Sequence, residues 1–273
     1  MNVKLGFSPC PNDTYMMYGL MHDRVETYDL SFDANILDVE ELNEKALDHG
    51  LDCTKLSFRT YYDVCDHYEL LTAGAALGRG NGPLLIANHA MGGEELAHAT
   101  IAVPGMQTTA TFLLQFAFPS STNLVPMLFS DIEDAITNEE VDAGVIIHET
   151  RFLYADHGFK LLADLGERWE QETGQPIPLG GFVVKADLAD QTKQQLLNII
   201  RSSIAYADNH YATVLPYMRE HAQELDPEVI EKHVAMFVND FSYDLQANGK
   251  AAVSTFFHVL NEINSSDKYP VFI

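Results

Sequence analysis

Short apolar runs alternate with stretches of helical period along the first two thirds of the chain. "VKLGF" (3–7), bounded by the turn formers of "SPCPND", predicts a strand, and "TYMMYGLMHDR" (14–24) predicts the helix after it. "LSFDANILD" (30–38) alternates with period two and predicts a second strand, followed by the amphipathic helix "VEELNEKALDHG" (39–50), which ends at Gly50. "LDCTKLSF" predicts a strand that turns into a helix near Ser57, and "GPLLIANH" (82–89) another strand. A second series begins at residue 99. "ATIAVPG" (99–105) predicts a strand ending in Pro-Gly, "TTATFLLQFAF" (108–118) an apolar helix, and "SDIEDAITNEE" (130–140) a helix with Ser130 as N-cap and acids in its first turn. "DAGVIIH" and "GGFVVKAD" (180–187) predict two further strands. Only helices follow, at about 190–208, 211–223, 227–240 and 247–262; in the third, Asp226 caps and Pro227 takes the first helical position.

Strands and helices in alternation define an α/β chain. Two such series and a helical tail predict two lobes, residues 1–92 with 182–273 and residues 93–181, with the substrate cleft between them. Open α/β sheets bind ligands beyond the C-terminal ends of their strands, so chemistry is expected at strand ends.

Composition narrows the function. Sixteen Lys plus Arg face forty Asp plus Glu, a formal net charge of −24. Such a surface repels a duplex, which argues against a nucleic-acid partner. It suits either acidic partners or metal, or a plain solvated surface tuned to a salty cytoplasm, and an anionic ligand needs local donors because the global field opposes it. No apolar run approaches the roughly 20 residues that span a bilayer, which argues against a membrane role. The N-terminus reads as a folded strand and not as a signal peptide, so a cytoplasmic location is expected. Three cysteines, Cys10, Cys53 and Cys65, without CxxC spacing argue against a disulfide framework and a structural zinc site.

Five strand ends carry unusual residues. In "SPCPNDT" (8–14) two prolines stiffen the backbone and Asn12 or Asp13 can cap a helix; Cys10 has no base beside it in sequence and reads as a buried inert thiol. In "TKLSF" (54–58) Lys55 and Ser57 fit either an anion site at a helix start or an ordinary cap with a snorkelling lysine. "LGRGNGP" (77–83) holds three glycines and a proline and reads as a hinge or turn; it lacks the P-loop and dinucleotide spacings. In "VPGMQTTAT" (103–111) a Pro-Gly turn leads to small residues that open an apolar helix, again an anion-binding geometry. Finally, His148 follows the apolar run of "VDAGVIIHET" (141–150). An imidazole desolvated at a cleft mouth favours its neutral, basic form and suits a general base; the other reading is a core histidine bonded to backbone. "HETRF" is not HExxH, and His157 lies nine residues on with no ligand spacing.

Taken in order, "SPCPNDT", "TKLS", "LGRGNGPLL", "VPGMQTTA", "AGVIIHETRF" and "DLGERWEQETGQPIPLGG" resemble the 1,4-dihydroxy-6-naphthoate synthases of the futalosine route to menaquinone. The resemblance runs from residue 3 to about 183 and continues more weakly through 217–242. It implies a two-lobed, type II periplasmic-binding-protein-like fold and a cytoplasmic lyase with no redox or metal cofactor. The implied reaction takes cyclic de-hypoxanthine futalosine to 1,4-dihydroxy-6-naphthoate, breaking carbon–carbon bonding at a spiro centre and releasing a sugar-derived fragment. It further implies His148 as proton acceptor, and Lys55, Leu56, Ser57, Thr109 and Ala110 as substrate contacts. Asn43 is a weaker contact candidate. Glu149 and Arg151 are read as supports of the histidine or as structural residues, and Trp169 with the "PIPLGG" turn (176–181) as shaping the lobe crossing. Tyr15 stands where an aromatic, commonly Phe, is expected. The only partner expected is the small-molecule substrate, with the protein a monomer or weak homodimer. The main rival reading is a receptor for a small aromatic acid that uses the same cleft without chemistry; a chorismate dehydratase of similar lobe plan is a second, and a metal-dependent hydrolase, for which the ligand spacing is lacking, a distant third.

Overall fold

The two series of apolar runs become two separate sheets. The computed structural model describes residues 1–222 and 226–273. They divide into two compact units, Met1–Gly78 with Pro178–Ile273, and Arg79–Ile177.

The first unit opens with β1 (Asn2–Phe7), α1 (Pro11–Met21), β2 (Ser31–Ile36), α2 (Val39–Leu47), β3 (Cys53–Ser57), α3 (Phe58–Val64), β4 (Tyr68–Leu70) and β5 (Ala76–Gly78). The second unit holds β6 (Leu84–Ala87), α4 (Gly93–His98), β7 (Ile101–Val103), α5 (Thr109–Ala117), β8 (Leu124–Pro126), α6 (Ile132–Thr137), β9 (Ala143–Ile146), β10 (Lys160–Asp164) and α7 (Leu165–Thr173). β11 (Ile177–Lys185) returns the chain to the first unit, and α8 (Asp190–Asn209), α9 (Tyr211–His221), α10 (Pro227–Phe237), α11 (Asp240–Tyr243) and α12 (Gln246–Asn264) complete it.

The first sheet runs β2-β1-β3-β11-β4, with β5 against β11. β1 is parallel to β2 and β3, and β11 is antiparallel to β3 and β4. Helix α1 is apolar on nearly every face and is buried from Pro11 to Leu20, as expected of a helix surrounded by protein. The tail helices α8, α9 and α10 supply that cover. Val3, Leu5 and Phe7 of β1 meet Met16 and Met17 of α1, and Ile200 and Ile204 of α8, in one core. The second sheet runs β10-β6-β9-β7-β8 and has its own core around Ile86, Ala102, Ile132, Ile136 and Ile146. No helix among the described residues is long and apolar enough to cross a membrane.

The helical tail matches its expected spans closely; residue 223 of the expected 211–223 helix lies outside the described residues. Three expectations change. The units part at Gly78/Arg79 and Ile177/Pro178, not at 92 and 181, because β6 pairs antiparallel with β9 and β10 of the second sheet. "PIPLGG" is mostly strand: β11 starts at Ile177, and Gly180 and Gly181 let it lie against β3, where a Cβ on Gly180 would meet the Leu56 carbonyl at 2.8 Å. Ser130 does not cap α6; it sits in a 3-10 turn, Phe129–Asp131, that precedes the helix.

Candidate active site

In the first unit the candidates sit where β1 and β3 end side by side, since Leu5 pairs with Cys53 and Gly6 with Thr54. Lys55 points from β3 into this edge and is 4% exposed. A lysine so buried needs a counter-charge. Its Nζ donates to Asp13 Oδ1 at 2.6 Å and to the Gly74 carbonyl at 3.1 Å, and lies 5.2 Å from the centre of the Phe182 ring. Asp13, 1% exposed, therefore does not cap α1; Cys10 takes the cap position and makes no side-chain cap bond to the helix. Asp13 accepts four hydrogen bonds: from Lys55, from Asn12 Nδ2 at 2.8 Å, and from the Ser8 amide and hydroxyl at 3.2 and 2.7 Å. Four bonds saturate a carboxylate. Because the Asn12 amide nitrogen is used on Asp13, its oxygen faces His233 Nε2 at 3.0 Å, so that nitrogen carries the proton. The charge pair is thus embedded in a polar network that reaches α10.

Ser57 and Asn43 form a second closed pair. The Ser57 amide donates to Asn43 Oδ1 at 2.9 Å, and Asn43 Nδ2 donates to Ser57 Oγ at 3.2 Å and to Glu40 Oε2 at 3.0 Å. Ser57 makes no side-chain cap on α3, so its hydroxyl, an acceptor from Asn43, keeps its own hydrogen for a further partner. Leu56 is buried between them in the chain, opposite Gly181. Tyr15 differs from the expected Phe by a hydroxyl that donates to Asp208 of α8 at 2.6 Å. Burial pushes the Cys53 thiol up, with Asp52 adding to it, which leaves that sulfur inert.

In the second unit β7 ends in Pro104-Gly105, and Gly105 adopts φ +124°, a backbone angle that side chains resist. Thr108 caps α5: its hydroxyl donates to the Gly105 carbonyl at 2.9 Å and accepts from the Thr111 amide at 3.2 Å. Thr109 and Ala110 are the first two residues of the helix, both buried. Trp169 of α7 holds α5 in place, its ring 5.4 Å from Phe116 and 6.3 Å from Phe112, with Nε1 donating to the Pro176 carbonyl.

His148 does not lie on β9, which ends at Ile146. It opens a 3-10 turn, His148–Phe152, with φ +59°, an angle uncommon for a side-chain-bearing residue and frequent at functional sites. The half-buried ring stands edge-on to Phe129, 4.8 Å between centroids. Thr150 fixes the turn by donating to the Ile147 carbonyl at 2.6 Å. Arg151 lies 3.9 Å from Asp164, which also caps α7 through the Gly166 and Glu167 amides. Burial pulls the Arg151 guanidinium down from its ordinary value, and Asp164 opposes that. Glu149 is buried.

The structure thus brings Asn43 and Ser57 into contact and joins Lys55 to a residue that sequence reasoning had given another task, Asp13. The signal for that pair was present: a lysine inside a buried strand demands an acid nearby.

Two α/β units with these strand orders, bearing polar residues at the ends of their parallel strands, define the periplasmic-binding-protein fold. A Candida albicans protein described as having that generic fold superposes with a TM-score of 0.71 at 12% identity, covering 98% of this chain and 92% of that one. Residues 3–262 match the family model for menaquinone biosynthesis, and the chain belongs to that family. It is 44% identical to the 1,4-dihydroxy-6-naphthoate synthase of Thermus thermophilus over 255 residues, 93% of this chain and 92% of the relative. It is 38% identical to the enzyme of the same name from Streptomyces coelicolor over 256 residues, 92% and 90% of the two chains. A crystal structure of a protein from Archaeoglobus fulgidus superposes with a TM-score of 0.91 at 33% identity, covering 97% and 98%.

Proposed function

We propose that this protein is a 1,4-dihydroxy-6-naphthoate synthase, a carbon–carbon lyase acting on cyclic de-hypoxanthine futalosine, with His148 as general base. The observation that carries the reading is His148 itself, held half-buried in a strained turn at the end of β9, in a chain 44% identical to an enzyme of that name. A neutral imidazole takes a proton beside a carbonyl of the substrate. The C–H electron pair forms an enolate; as it collapses into the ring, the carbon–carbon bond at the spiro centre breaks, that bond's electron pair leaves with the sugar-derived fragment, which takes up a proton, and aromatisation of the remaining ring drives the step. The protein's task is to place the base and hold the ring system.

Ser57 offers its hydroxyl and Leu56 an apolar wall, with Asn43 fixing the serine. Lys55 contributes as a neutralised pair with Asp13, which keeps the end of β3 rigid without placing a bare charge against the substrate. Thr109 and Ala110, at the positive end of α5, take the substrate's anionic group; such an end favours negative charge by roughly 0.3–1 kcal/mol. That local donor is needed in a protein of net charge −24. The reaction proceeds in the cytoplasm.

Purified protein with cyclic de-hypoxanthine futalosine and no added metal is expected to release 1,4-dihydroxy-6-naphthoate, followed by absorbance and mass. Tight binding of an aromatic acid without any product would instead make the chain a receptor on an enzyme's fold.

A further inference from the structure

Asn81 has a side chain whose polar atoms are both unmet. It is 2% exposed, yet neither Nδ2 nor Oδ1 has a hydrogen-bond partner among the described residues. An unmade bond at a buried donor or acceptor carries the full desolvation penalty of that group, and native chains seldom keep one that nothing completes.

The loop that bears it is firmly held. Before it, Gly80 adopts φ +65° and its amide donates to Glu170 Oε1 at 2.8 Å, while Arg79 donates to the same carboxylate and to the Gly174 carbonyl. After it, Gly82 lies so close to Gly166 that a Cβ would stand 2.4 Å from the Gly166 Cα. Asn81 is therefore clamped on both sides with its carboxamide left over. The sheet register says where. Leu84 of β6 pairs with Ile146 of β9 in antiparallel sense, so residues 79–83 leave the sheet at the end where His148 leaves it. β7 runs parallel to β9, so the loop leading to Thr109 and Ala110 leaves there as well.

We infer that Asn81 binds the hydroxylated, sugar-derived part of the substrate, donating from Nδ2 and accepting at Oδ1. A carboxamide is satisfied only by a partner that both accepts and donates. A carboxylate accepts alone and would set oxygen against Oδ1, and a fused aromatic ring does neither. Hydroxyls do both. A site built to bond hydroxyls rejects analogues that lack them, because its own buried groups are then left unpaired. Asn81 thereby selects the nucleoside-derived substrate and releases the naphthoate once the hydroxylated fragment has gone. The inference rests on the lyase reading above.

The test measures kcat and KM for wild type, Asn81→Leu and Asn81→Asp with cyclic de-hypoxanthine futalosine. It adds inhibition by 1,4-dihydroxy-6-naphthoate, which lacks the sugar-derived part, and ligand-free thermal unfolding. Both variants are expected to lose about 10- to 100-fold in kcat/KM. Their inhibition by the naphthoate is expected to be unchanged, and Asn81→Leu, which removes an unmet amide, to unfold no lower than wild type. An unchanged kcat/KM overturns the inference. So does an equal loss of affinity for substrate and naphthoate with a lowered Tm, which marks a structural amide completed by water. If Asn81→Leu does not fold, the near-isosteric Asn81→Asp decides alone. A wild type that makes no naphthoate sinks the lyase reading, and this inference with it; an active wild type beside equally active variants sinks only the inference.

Discussion

The two units repeat one sheet design and use it differently. In each, three parallel strands (β2-β1-β3 and β8-β7-β9) are followed by an antiparallel one, β11 or β6, and then by a fifth, β4 or β10. The candidate residues follow corresponding strands: Ser8–Asp13 after β1, Ser57 at the end of β3, Gly105–Ala110 after β7 and His148 after β9. In the first unit the polar groups close on one another, Asp13 with Lys55, Ser8 and Asn12, and Ser57 with Asn43. In the second they end in a half-buried imidazole on a left-handed turn and a buried carboxamide with no partner among the described residues. A closed network resists change and holds a shape, whereas groups poised at a strained turn are suited to meet a substrate whose charge and bonding alter. Substitutions in the polar networks of the first unit should therefore act chiefly on stability, and those at His148 and Asn81 chiefly on turnover.

The sharpest contrast comes from the buried charge pair. Lys55→Met leaves Asp13 charged and buried and is expected to destabilise the protein by about 3–5 kcal/mol, read by chemical denaturation. Asp13→Leu together with Lys55→Met is expected to cost much less than the sum of the single changes. If Lys55→Met leaves stability untouched but abolishes binding, the pair serves the ligand directly and the first unit is not a passive scaffold. A smaller loss is expected from Gly82→Ala, about 1–3 kcal/mol, because the new methyl meets Gly166 backbone. Gly92→Ala, with nothing within 4 Å, is its neutral control. Ser57→Ala removes one partner of Asn43 and is expected to cost about 0.5–1.5 kcal/mol of stability and to raise KM, seen by thermal unfolding and steady-state kinetics.

The mildest test is pH. Burial pushes Tyr15, Tyr61 and Tyr68 up from the ordinary phenol value, and Tyr217 up to about 12, with Glu220 adding to the last. All four lie in the first unit. A folded value above the unfolded one means that the fold prefers the protonated phenol. Its contribution is whole below about pH 10 and is lost as pH rises toward about 12. Denaturant midpoints should begin to fall near pH 9, where the unfolded Cys53 thiol ionises, and fall more steeply above about pH 10, and hydrogen exchange should show the first unit loosening before the second.

What the sequence made legible follows from how local each signal is. The tail helices, α2 and the strand-to-helix turn at Ser57 announce themselves by periodicity and caps. The strands β4, β5, β8 and β10, three to five residues each, are too short to show a period. His148 was visible as an imidazole ending an apolar run, but the turn that sets its angle was not. Asp13 and Lys55 are 42 residues apart and meet only because β1 and β3 are neighbours, which no local pattern states. Asn81 was hidden by its own glycines: "GRGNGP" reads as a turn, and what matters is the residue that the turn holds still.

The most direct test of the division of labour is His148→Ala at saturating substrate, with and without added imidazole. The expected result is a kcat lower by about 100- to 10,000-fold, a KM and a Tm close to wild type, and partial return of turnover with imidazole. A variant that keeps most of its kcat, or one that loses stability and turnover together and is not rescued, would contradict it.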